Sequence, residues 1–173
     1  MAVQLTPPVL ITFVNNGGEN CLQAETAASS SAVNLQPIDQ SFETPNQLWQ
    51  FGDDNRIYLS SSTAGNEQYC LTFQPPAENG QLLIIHDHDA DDASQTWDWN
   101  SNPPTIINLG ATATTGITYV IDDQYGRTGS DNPVQIWVSI DGSGNQPWAA
   151  QLVLKNYFQS NSVSKPLVSS QTA

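Results

Sequence analysis

The sequence predicts an all-β fold of three similar units, on two observations. Gln-x-Trp triplets recur at Gln47-Leu48-Trp49, Gln95-Thr96-Trp97 and Gln146-Pro147-Trp148, spaced by 48 and 51 residues. A period of that length marks a supersecondary unit that cannot bury its apolar face alone and is completed by its copies. Short runs rich in β-branched and aromatic residues alternate with turn clusters, and no window carries a 3.6-residue apolar stripe, so strands are expected and helices are not. Three units of about four short strands close into a β-trefoil of about twelve strands, with each triplet Trp pointing to the pseudo-threefold core.

In chain order, strands are expected over 9–14, 56–59, 81–85, 117–121 and 151–154, separated by Asn/Gly/Asp-rich turns at 15–18, 52–55, 78–80, 126–133 and 141–145. Aligned on their triplets, the repeats run over about 9–51, 52–99 and 105–154, inside one domain spanning 1–155. Residues 156–173 fall outside the repeat and read as a C-terminal extension, with Tyr157 and Phe158 docked on the barrel and the end loose. Cys21 and Cys70 occupy matching places in neighbouring repeats, too far apart to bridge, so two buried free thiols are expected.

A chain of 173 residues fits one domain with one core. Four Lys+Arg against 17 Asp+Glu give a formal net charge of -13, which excludes phosphate-backbone binding and makes nucleic acid a poor partner. Only 12% of residues are charged, so the polar surface comes largely from amides and hydroxyls, a surface suited to neutral, hydroxyl-rich ligands. Residues 1–8 lack the basic and apolar regions of a secretory signal, and no stretch approaches 18 consecutive apolar residues. A cytoplasmic protein without membrane insertion is expected, with non-classical release left open.

The third repeat holds the most specific constellation. It carries Val120-Ile121-Asp122-Asp123-Gln124-Tyr125-Gly126, Val134-Gln135-Ile136-Trp137 and Asn145-Gln146-Pro147-Trp148. Ile136 belongs inside by alternation, so Trp137 should face out, although a further core Trp is the alternative. Asp122 is a pocket residue or a turn residue capping Gly126, and the triplet Gln serves either backbone groups at the barrel rim or a ligand.

These three segments resemble the ricin B-chain-like (R-type) trefoil lectins, over about 145 residues. The resemblance implies a shallow galactose or N-acetylgalactosamine pocket in the third repeat. There Asp122 would be the floor, accepting from two sugar hydroxyls, with Gly126 allowing close backbone approach. Trp137 would be the stacking platform, Asn145 a donor, and Gln135 and Gln146 flanking polar groups. It also implies a free-standing, fungal-type lectin of the defence kind, with no cofactor. A single site crosslinks nothing, so agglutination would call for a homodimer or a second working repeat.

The first repeat keeps Asn46 and Gln47 but has Gln23 for the Asp and Gln36 for the aromatic residue, a second and degenerate site. The second repeat has Thr72, then Ile85 or His86, then Ser94, and looks less competent. The run 86–92 places His86, Asp87, His88 and Asp89 near Asp91 and Asp92, a weak candidate for a divalent cation that matches no defined loop; a solvated acidic loop is the plainer reading. No Ser-His-Asp or Cys-His pattern is present, so catalysis is not expected. The competing reading is a trefoil protease inhibitor acting through protruding loops at 23–33 and 42–46.

Overall fold

The computed structural model describes residues 3–63, 68–126 and 130–153. The first unit comprises β1 (Val9–Phe13), β2 (Asn20–Ala24), β3 (Val33–Pro37) and β4 (Trp49–Phe51). The second comprises β5 (Ile57–Leu59), β6 (Tyr69–Phe73), β7 (Gln81–Asp87) and β8 (Trp97–Ser101). In the third lie β9 (Pro104–Asn108), β10 (Tyr119–Asp123), β11 (Asn132–Val138) and β12 (Trp148–Leu152). Strands β2–β3, β6–β7 and β10–β11 form antiparallel hairpins, and the first and last strands of the units build the barrel, β12 pairing with β1, β1 with β4, β4 with β5 and β8 with β9. The result is the twelve-stranded trefoil that the triplets predict.

The threefold repetition extends to single hydrogen bonds. The N–H groups of Val14, Ser60 and Leu109, each just past a unit's first strand, donate to the carbonyls of Pro147, Leu48 and Thr96, the middle residues of the triplets. The indole N–H of Trp49 donates to Leu22 O (3.0 Å), that of Trp97 to Leu71 O (2.8 Å) and that of Trp148 to Ile121 O (2.9 Å). Each Trp thus fills the core while its one polar atom is satisfied, as a buried indole requires. Ile11, Leu22, Leu35, Leu59, Leu71, Ile85, Ile121 and Ile136 complete the core around them.

Helical structure is the first departure from expectation. The short helices α1 (Ser60–Thr63) and α2 (Leu109–Thr115) follow the first strands of units two and three, where unit one has a 3-10 turn. The segment of α2 is rich in Thr and Ala and shows no apolar stripe, which hides it from periodicity. Its ends fix it instead: the Asn108 side chain accepts from Ala111 N (2.8 Å), and Gly116 closes it with φ +71. The following strand accordingly starts at Tyr119, leaving Ile117 exposed, and the last strand covers Trp148–Leu152 rather than 151–154.

The loops expected to protrude are tied down. Ser30 N donates to Ile85 O (2.7 Å) and Ser29 Oγ to Asp87 Oδ2 (2.7 Å), fastening the first repeat's loop to the second. Asp39 accepts from the N–H groups of Ser41, Glu43 and Thr44, and Phe42 packs on Leu10, Cys21 and Leu48. Among the described residues no helix is long and apolar enough to cross a membrane. The extension at 156–173 lies outside the described residues.

Cys21 and Cys70 are free and fully buried, and burial pushes both thiols up to about 12. An aromatic disulfide reagent at pH 8 should therefore titrate no thiol in the native protein and two in denaturant. A rapid native equivalent would contradict the burial.

Candidate ligand-binding site

The site grows from the β10–β11 register. Ile121 pairs with Ile136 and both enter the core; Asp122 pairs with Gln135, and Val120 with Trp137. Alternation thus turns Asp122, Gln135 and Trp137 to the outer face, with Trp137 half-buried as a wall rather than a core residue. Together with Asn145 these three side chains line one cleft of about 420 Å³.

Asp122 is only 4% exposed, at the base. Its Oδ1 accepts from Gln135 Nε2 (3.0 Å) and its Oδ2 from Gln146 Nε2 (3.2 Å). Burial pushes its pKa up, and these two amides partly offset that by bonding the charged form. Each carboxylate oxygen keeps a lone pair for a ligand hydroxyl. Gln135 Oε1 is buried with no protein partner and is a further acceptor.

Gln146 does not flank the pocket as the sequence suggested; it lies behind the floor, 2% exposed. Besides holding Asp122 it donates to Val138 O (3.0 Å) and accepts from Ile140 N (3.0 Å). Gln95 does the same for Asp87 O and Asp89 N, and Gln47 for Pro37 O and Asp39 N, so the triplet Gln is a clamp on the loop after each hairpin. Gly126 does not line the cleft either. It has φ +61, and a Cβ there would collide with Asn145 Oδ1, so glycine lets Asn145 stand where it does.

Sequence reasoning missed five lining residues: Gly80, Gln124, Tyr125, Ile140 and Ser143. Gly80 arrives from the preceding repeat, which no within-repeat motif reports. Tyr125 has φ +72 and is 69% exposed. Ile140, 53% exposed, stands where the other repeats have Asp39 and Asp89; an apolar residue at the edge of a turn cluster was the available signal.

Asp123 was also missed. Its equivalents by hairpin register are the core residues Ala24 and Phe73, yet it is a fully buried carboxyl. Asn132 Nδ2 donates to its Oδ1 and to Gln124 O (2.8 Å), closing the base of the loop that carries Tyr125 and Gly126. Asp123 Oδ2 has no protein partner, and burial pushes the group up to about 7, with the Asp122 charge adding to the shift.

The other two repeats do not assemble this arrangement. In the first, Gln47 Nε2 bonds Gln23 Oε1 (2.9 Å), Gln36 turns away to Asp131 of the third repeat, and Asn46 accepts from Ser61 Oγ (3.4 Å). The second repeat has Thr72 and Ser94 bonded to each other (2.7 Å) and buried, while the register assigns His86, not Ile85, to the Trp137 position.

The acidic run is spent on its own backbone. Asp89 caps Asp91 N, Asp92 caps Ser94 N, Asp87 holds Ser29, and the carbonyls of Asp89 and Ala90 receive Arg56 Nη2 (both 2.9 Å). Its side chains diverge, and among the described residues no three His, Cys, Asp or Glu groups converge as metal ligands, so the weak cation candidate at His86, Asp87, His88 and Asp89 is not assembled.

A family model, the ricin-type beta-trefoil lectin domain, matches residues 10–148. No curated protein sequence matches the chain. Among solved structures, a mosquitocidal holotoxin is 17% identical with a TM-score of 0.66, over 88% of this chain and 18% of that one. The C-half of an earthworm R-type lectin in complex with GalNAc is 17% identical with a TM-score of 0.63, over 84% and 98%. A non-toxic homologue of type II RIPs from bitter gourd, Momordica charantia, in complex with alpha-methyl-D-galactoside is 20% identical with a TM-score of 0.65, over 86% and 48%. At these identities the likeness concerns the fold. The chain spans less than a fifth of the holotoxin and about half of the bitter gourd protein.

The Asp123 geometry sets a pH dependence of stability. The folded group holds its proton up to about pH 7, whereas an unfolded Asp releases it near pH 4. Its stabilising contribution is therefore complete below about pH 4 and is lost as pH rises to about 7; Asp122 acts in the same direction. The urea midpoint should be lower at pH 8 than at pH 5, and Asp123→Asn should shrink that difference. An equal difference in the variant would remove Asp123 as its source.

Proposed function

We propose, from the premise that this chain belongs to the ricin-type β-trefoil lectin domain family, that it binds glycans ending in galactose or N-acetylgalactosamine, mainly through its third repeat. The observation that carries this reading is the convergence of Asp122, Trp137 and Asn145 on one cleft, while at the equivalent positions the first repeat has Gln23, Gln36 and Asn46 and the second has Thr72, His86 and Ser94. The axial 4-hydroxyl of galactose leaves one ring face with a patch of C–H groups. Trp137 covers that patch, Asp122 accepts from the vicinal hydroxyls, and Asn145 donates to one of them.

The galactoside and GalNAc complexes of the bitter gourd and earthworm proteins support the sugar class. Binding is reversible and leaves the glycan unchanged. No finding favours the protease-inhibitor alternative, whose two loops are bonded down to the barrel.

A shallow cleft of this kind holds a monosaccharide at about millimolar Kd, roughly 4 kcal/mol. Calorimetry with N-acetylgalactosamine or lactose should show Asp122→Ala and Trp137→Ala each weakening binding at least about tenfold, or about 1.4 kcal/mol. Near-UV dichroism serves as the check on the fold. Undiminished affinity in both variants would remove the third repeat as the site.

A further inference from the structure

A second cleft, of about 230 Å³, opens where strands β4, β5 and β8 leave the core. The residue two beyond each triplet Trp is Phe51 in the first repeat, Trp99 in the second and Ala150 in the third. Phe51 and Trp99 meet edge to face, with centroids 5.9 Å apart and planes at 89°, and both remain half-buried, so they form walls of the cleft as well as a lid on the core.

Its polar lining is built from Asn55, Arg56 and Asp98. Arg56 is 6% exposed, and its guanidinium is held on two sides. Nη1 faces Asp54 Oδ2 (3.3 Å), and Nη2 donates to the carbonyls of Asp89 and Ala90. The remaining donor, Nε, is buried with no protein acceptor. Nε is closed off from solvent, so the polar groups of this lining that a ligand can reach are those of Asn55 and Asp98. Asp98, exposed, is an acceptor on the same rim, and Asn55 offers both functions.

We propose that this cleft is a second sugar site, taking one neutral pyranose ring against Trp99 and Phe51, with the Asn55 amide donating to a ring substituent and Asp98 accepting from hydroxyls. The chemistry selects that class. Aromatic walls call for a ligand with an apolar face, and an exposed amide beside an exposed carboxylate calls for hydroxyls that can accept and donate. An anion is opposed by Asp98 and by the net charge of -13. The cleft shares no residue with the third-repeat site, and Trp99 lies beyond Trp97 on the strand, past the core from the clamping Gln95. One chain would then carry two independent sugar sites, and crosslinking would not require a dimer.

The indole N–H resonances of the 15N-labelled full chain test this directly, because five tryptophans give five signals, with Trp99→Phe and Trp137→Phe assigning the two of interest. Galactose and glucose are titrated separately to about 100 mM, well above a millimolar Kd. The Trp99 signal should shift saturably with at least one of them. In Asp122→Ala that shift should persist while the Trp137 response disappears. In Asp98→Ala it should weaken at least about fivefold, with the Trp49 and Trp148 signals in place as markers of the intact fold. The proposal is overturned if neither sugar moves Trp99, if its shift vanishes in Asp122→Ala, or if Asp98→Ala leaves the Trp99 affinity unchanged. Trp137 reports the third-repeat site separately, so either site can fail without the other.

Discussion

The bond from each core indole to a strand carbonyl is the constraint on which the rest of this molecule depends. The accepting carbonyls belong to Leu22, Leu71 and Ile121, each immediately before the position occupied by Gln23, Thr72 or Asp122. The contact that locks the fold therefore also locks the backbone of the position where the repeats differ most. Breaking such a bond leaves a buried carbonyl unpaired, at a cost of about 1–3 kcal/mol, so the strand at Asp122 has little freedom to shift. Two residues before the Trp, Gln146 reaches the Asp122 side chain itself. The backbone just before Asp122 and its side chain are thus both fixed by a single triplet, so the carboxylate is pre-positioned at the base of the cleft.

Holding a carboxylate there has a cost that the protein does not minimise. Asp122 is nearly buried, and its neighbour Asp123 is fully buried with one oxygen unpartnered. The equivalent positions Ala24 and Phe73 show that an apolar residue suits the fold at this point. What Asp123 contributes is its bond from Asn132, which closes the loop bearing Tyr125 and Gly126 beside Asn145. Stability is given up at neutral pH to shape a loop at the cleft.

Much of this was legible in the sequence. The triplet spacing gave three units; alternation alone turned Trp137 outward and Ile136 inward; the matched cysteines proved buried and unpaired. Other features were not legible, for identifiable reasons. Helix α2 is held by caps and by Thr side chains bonding back to carbonyls, with no apolar stripe to announce it. Gly80 enters the cleft from another repeat. Gln146 read as a pocket residue because its spacing from Trp148 says where it sits, but not that its amide is consumed by Asp122 and the loop backbone.

The other two repeats differ in what they do for the third. In repeat two, Thr72 and Ser94, the counterparts of Asp122 and Asn145, bond each other. In repeat one, Gln36 occupies the platform position and bonds Asp131, while Asp131 N donates to Leu35 O (2.9 Å). Strand β3 thereby holds the far end of the loop whose near end Asp123 and Asn132 close. An aromatic ring at 36 would supply a platform to the first repeat but could not hold Asp131, and an amide can. The side chain that stands in the platform position of repeat one is therefore the one that holds Asp131 of the third repeat, so threefold symmetry is kept in the core while the surface positions are used for contacts between repeats.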